Sequence, residues 1–179
     1  MRDWNVVASV HQEGFRESLR LLARFGEVSK TDYFNVLVAR VPDVATFVSE
    51  LAAQVEAEPG IMNYLGRVVP VTRTFDFQGP QEFEERARQT ALAWADELAG
   101  KSFHVRMHRR GLKGKLSSQE EEKLLAGALL EALSERGEPG RITFTDPDAI
   151  LAVETVGPRA GLSLWSREDL ARYRFLGLD

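Results

Sequence analysis

The chain has 179 residues, 44% of them hydrophobic and 28% charged, which suits one domain of ordinary size or two small ones. It has no cysteine, and this excludes disulfides, zinc–thiolate sites, iron–sulfur clusters and cysteine nucleophiles. A net charge of −4 argues at first sight against polyanionic ligands, although a local field can oppose the average.

The predicted elements begin with a β-rich run at Trp4–Val10. The N-terminus lacks the basic start, long apolar core and cleavage site of a secretion signal, so a cytoplasmic location is expected. Gly14–Phe25 carries Phe15, Leu19, Leu22 and Ala23 at helical spacing, and Gly26 stops it. Glu27–Lys30 is a candidate edge strand, and Tyr33–Val41 is β-rich again. Pro42-Asp43 opens a helix whose apolar face is Val44, Phe47, Val48, Leu51 and Val55, broken by Pro59-Gly60. Val68–Phe77 reads as one further strand. The order β-α-β-β-α-β within 78 residues is the ferredoxin-like split pattern.

Gln78-Gly79-Pro80 is the expected domain boundary, giving domains at 1–78 and 79–179. A long helix is expected over Gln81–Ala99, with Phe83, Ala87, Thr90, Ala91, Trp94 and Leu98 on one side, ended by Gly100. Ser102–His108 alternates strictly. Phe103, Val105 and Met107 fall on a buried face; His104, Arg106 and His108 fall on an outward one. After the loop RRGLKGK, Ser117 with Glu120, or Ser118 with Glu121, offers a capping box for a helix to about Ser134. Three short strands follow at Ile142–Phe144, Ile150–Val156 and Gly161–Trp165. The fold class expected is mixed, α+β followed by α/β.

Between Leu98 and Gln119 there is no Asp or Glu, while Lys101, Arg106, Arg109, Arg110, Lys113 and Lys115 all fall there, with His104 and His108 beside them. Asp76–Glu97, just before, is acidic. Arginine forks match phosphate oxygens and lysine adds mobile charge, so the stretch can grip a polyanion. As a charge run it reads equally well as a solvated face. The helix start at Ser117–Ser118 reads as self-capped, because Glu120, Glu121 and Glu122 already answer its dipole.

The runs FHVRMHRRGLKG, DPDAILAVETVG and LWSREDLARYRFL resemble THUMP domains, the RNA-binding modules of tRNA-modifying enzymes, over roughly Pro80–Glu168. Within that superfamily they resemble stand-alone THUMP proteins, of which those of eukaryotes serve as tRNA-binding adaptors for a cytidine acetyltransferase. The resemblance implies a ferredoxin-like domain followed by a THUMP domain, together binding the tRNA acceptor stem and 3′ end. It places Arg106, His108, Arg109, Arg110, Lys113 and Lys115 at the RNA, with Arg167 as a further candidate and Arg172 and Arg174 as an extension. Trp165 reads as core.

No chemistry of the chain's own is legible. There is no Walker loop, no GxGxxG and no GxSxG. His104 and His108, four apart on a strand, stand about 13 Å from each other and cannot share a metal. Asp146 and Asp148 read as a turn, and Glu82, Glu84 and Glu85 as a solvated helix face. The expectation is a non-enzymatic RNA-binding adaptor with no cofactor, whose partners are tRNA and a separate modifying enzyme. An alternative is a protein-interaction module that docks an acidic partner through the same basic strand and loop.

Overall fold

In the computed structural model, which describes residues 1–178, the chain divides into two compact units. One comprises residues 1–72 with 171–177; the other comprises 73–170 with Leu178. The boundary expected at Gln78–Pro80 therefore lies within the second unit.

The first unit is a four-stranded antiparallel sheet with two helices. Strands β1 (Val6–Ser9), β2 (Glu27–Lys30), β3 (Val36–Arg40) and β4 (Arg67–Pro70) lie in the order β2-β3-β1-β4. Helices α1 (Phe15–Leu22) and α2 (Val44–Ala57) complete the β-α-β-β-α-β order that the pattern predicts. Val6, Val7, Ala8, Leu37, Val38, Ala39, Val68 and Val69 are all buried, so these strands read as continuous apolar runs rather than alternating ones. Asp43 caps α2 by accepting the Thr46 amide at 2.7 Å. Phe47 of that helix meets Phe25 edge-on at 5.3 Å. Gly26 is obligatory here: a Cβ would sit 2.1 Å from the Arg40 carbonyl oxygen.

The single strand expected over Val68–Phe77 is in fact two. β4 ends at Pro70, and β5 (Arg73–Asp76) belongs to the other sheet, paired with β9 (Arg159–Ser166). The partner that captures β5 lies more than 80 residues downstream, beyond any local pattern.

The second unit is a mixed five-stranded sheet. It adds β6 (Ser102–His108), β7 (Arg141–Ile142) and β8 (Ala149–Val156), in the order β5-β9-β8-β6-β7. β6 runs parallel to both neighbours, and β9 is antiparallel to β8 and β5. The helix expected over Gln81–Ala99 breaks at Ala93-Trp94 into α3 (Pro80–Leu92) and α4 (Ala95–Leu98). Helix α5 (Ser118–Glu135) is capped by Ser117, whose hydroxyl accepts the Glu120 amide at 3.4 Å. Phe83, Leu98, Phe103, Val105, Met107, Leu125, Leu129, Leu133, Leu151 and Val153 form the core between helices and sheet. Removing a fully buried leucine such as Leu129 would cost about 2–5 kcal/mol. Trp165 is buried, its indole N–H donating to Ser163 at 2.8 Å. Helix α6 (Arg167–Arg172) follows without a loop; its start is marked by reciprocal bonds between Ser166 and Asp169.

Glu84, expected on a solvated helix face, is half-buried, and Glu121, expected to answer the dipole of its helix start, has a second role. Glu121 turns inward against α3 and is 4% exposed. Burial, with the Glu84 carboxylate beside it, pushes its carboxyl up to about 7.

Candidate nucleic-acid interface

β6 alternates as its sequence requires, with Phe103, Val105 and Met107 in the core. Its other face is not the open basic surface expected. His104 is 1% exposed, with Nδ1 3.0 Å from the Thr143 carbonyl oxygen and its ring against Phe144. Arg106 is half-buried and donates from Nε to the Leu178 carbonyl at 3.3 Å. His108 lies 2.8 Å from Glu154 through Nδ1.

Glu154 is the residue that sequence reasoning missed. It enters from β8, opposite His108 in the parallel register, and its side chain is fully buried. Arg110 binds its second oxygen at 2.5 Å. The Arg110 amide also donates to the Thr155 carbonyl and hydroxyl, both at 3.1 Å, and its carbonyl accepts the Gly157 amide at 2.9 Å. An acid-free stretch of sequence is thus given an acid by its neighbour strand. A buried carboxylate between an arginine and a histidine is tolerable because each of its oxygens is bonded.

Past Arg110 the chain leaves the sheet. Arg109 folds back to donate to the Gly111 carbonyl. Gly111, Leu112 and Gly114 all take positive φ, at 98°, 54° and 77°. The Leu112 carbonyl accepts the amides of Lys115 and Leu116, and buried Leu116 anchors the turn. This places Lys113 and Lys115 in solvent. Among the described residues neither has a carboxylate within ion-pair reach.

The seven expected contact residues do not form one patch. Arg106, His108, Arg109, Arg110, Lys113 and Lys115 run along the end of β6 and the loop beyond it. Arg167 follows Ser166, which pairs with Ala149 at the start of β8, so it lies at the other end of a strand about 25 Å long. There its guanidinium bonds Asp146 at 2.9 Å and Asp148 at 3.0 Å. Asp148 in turn accepts the Ser102 amide at 2.8 Å and its hydroxyl at 3.0 Å, tying the starts of β6 and β8. The Ser102 bonds, more than Arg167, hold the Asp148 carboxyl below its usual range. Asp146 and Asp148 are the turn expected, and Arg167 is its clamp. Among the described residues no cluster of His, Asp and Glu could hold a metal ion, and no helix is long and apolar enough to cross a membrane.

No protein-family model matches the chain, and no curated protein matches it in sequence. Solved structures do match in fold. PH1313 from Pyrococcus horikoshii superposes with a TM-score of 0.58 at 14% identity, over 90% of this chain and 54% of that one. TrmN from Thermus thermophilus gives 0.59 at 20% identity, over 89% and 44%. A 4-thiouridine synthetase solved in complex with RNA and bound ATP gives 0.53 at 13% identity, over 92% and 42%. The chain spans about half or less of these proteins. At these identities the likeness is one of fold: a mixed α/β chain with two sheets.

Proposed function

We propose that this chain is a tRNA-binding module that holds phosphates at the loop Arg109–Lys115. In this reading it binds the acceptor stem and 3′ end in the cytoplasm and presents them to a separate modifying enzyme, performing no chemistry itself. The observation that carries it is the fold likeness across 92% of the chain to a synthetase solved with RNA. The loop supplies the physical reason: Lys113 and Lys115 stand in solvent with no acid among the described residues to answer them. Arg109 adds a guanidinium beside them. His108 and Arg110, already bonded to Glu154, contribute by position more than by free charge. An arginine whose inner N–H groups are occupied keeps outer ones for a phosphate, and is held still for it.

The test is equilibrium binding of tRNA to the full chain and to its R109A/K113A/K115A variant across a salt series. The variant should bind more weakly at low salt. Its plot of log affinity against log salt should be shallower by about 0.7–0.9 per lost contact. Unchanged affinity and slope would remove the loop from the interface. A modified nucleoside appearing when tRNA and a donor are incubated with this chain alone would end the non-catalytic reading.

A further inference from the structure

A cleft of about 560 Å³ opens on the edge of the second sheet and is lined by β6, α5 and the residues after β7. That volume lies within the usual range of small-ligand sites. β7 stops at Ile142, so β6 is an uncovered edge beyond that point. Lys101 and Phe103 turn their carbonyls to this side, where the Arg141 and Thr143 amides donate to them. In an extended strand the N–H and C=O of one residue share a side and alternate with the next, so Val105 faces the same way. The next ladder bond would join the Val105 amide to the Thr143 carbonyl, but that carbonyl is taken by His104 Nδ1 at 3.0 Å. The Met107 amide, one step further, donates to Glu122 at 2.8 Å. Val105, which is 3% exposed, thus faces the cleft beyond the last rung of the β6–β7 ladder, where β7 no longer pairs with it.

The walls suit a flat ring. Phe144 lines the cleft, is 69% exposed and rests on the His104 ring with centroids 5.1 Å apart. Opposite it, Gly127 of α5 leaves open space where a side chain would stand. Gln119 and Lys123 stand exposed at the rim. A peptide strand needs several ladder rungs, and the Thr143 and Glu122 blocks leave room for one. A single heteroaromatic ring needs one.

We propose that this cleft is a nucleobase site: Val105 reads the polar edge of the ring, Phe144 stacks on its face, and Lys123 meets an attached phosphate. Base–aromatic stacking is sequence-tolerant, and one backbone pair can serve an amino–imino or a keto–imino edge. The site goes beyond the loop reading, because a ring can be held here whether or not phosphates are held at Lys113 and Lys115.

The base could belong to a free nucleotide or to single-stranded RNA, and the test separates them. The full chain is titrated with AMP, CMP, GMP and UMP, then with mixed-sequence RNA tetranucleotides, following backbone amide resonances. The Val105 amide should shift in at least one series. A shift with mononucleotides assigns a nucleotide pocket, and a shift with tetranucleotides alone assigns a base of RNA. F144A removes the platform at an exposed position. G127L fills the cleft while improving helix propensity, so its melting temperature should not fall. Both should weaken binding about tenfold or more. R109A/K113A/K115A should leave mononucleotide binding unchanged, which separates failure of this site from failure of the loop. The proposal is overturned if Val105 is silent in every series, if both variants bind like the parent, or if a (Thr-Val)3 hexapeptide shifts Val105 and nucleotides do not.

Discussion

The end of β6 and the loop beyond it share one acid-free stretch of sequence, yet the fold uses their charges differently. At the strand end, Arg110 and His108 are bonded to the fully buried Glu154, and the Arg110 charge is largely spent inside the protein. At the loop, Lys113 and Lys115 stand in solvent with no acid in reach among the described residues. A count of cations treats these residues alike. Their surroundings make the first group a structural joint between β6 and β8 and the second a surface available to an anion.

The sharpest way to break that contrast is at Glu154. E154A strands Arg110 and His108 without their acid and should destabilise the chain by about 3–5 kcal/mol in urea denaturation. A loss below about 1 kcal/mol would mean that the strand-end cations are solvated after all, and the distinction would collapse.

A smaller effect is expected at the other inward-facing acid. Glu121 binds a proton more tightly when folded, its carboxyl standing at about 7. An acid raised on folding lowers stability as pH climbs from its unfolded value, near 4.3, to its folded one, and the loss stays constant above that. E121Q should therefore flatten stability against pH between about 5 and 7, and add roughly 1–3 kcal/mol at pH 8. Parallel curves for parent and variant would show that the Glu84–Glu121 contact does not titrate.

K113A/K115A should leave stability within about 0.5 kcal/mol of the parent, as for other exposed substitutions, and act only on RNA affinity and its salt slope. An altered melting temperature would place these lysines in the structural group. R167A should have the smallest effect on RNA, since its guanidinium serves Asp146 and Asp148 at the far end of the sheet. Loss of tRNA binding in R167A with an intact fold would extend the interface along the whole strand.

Much of the fold was legible. The alternation of Phe103, Val105 and Met107, the cap at Ser117 and the stop at Gly26 each depend on neighbours within a few residues, where periodicity and backbone sterics act. α6 was legible too: Ser166 and Asp169 have capping-box spacing, a signal the tail reading passed over. The break at Ala93-Trp94 was not, because the apolar face of Gln81–Ala99 runs through it without interruption.

The candidate site was legible only in part. Composition and spacing determined that a cationic segment leaves a strand and enters a Gly-rich loop. They could not determine which cations remain free, because charge is cancelled in space and not along the chain. Glu154 lies 44 residues after Arg110, and only the parallel pairing of β6 with β8 brings them within 2.5 Å. A second long-range pairing, antiparallel, decided the fate of β5, whose partner β9 is distant in sequence. The brevity of β7, two residues long, leaves β6 beyond Ile142 as an open edge. Local physics set the elements; long-range strand pairing, which no local pattern encodes, decided what each charged side chain faces.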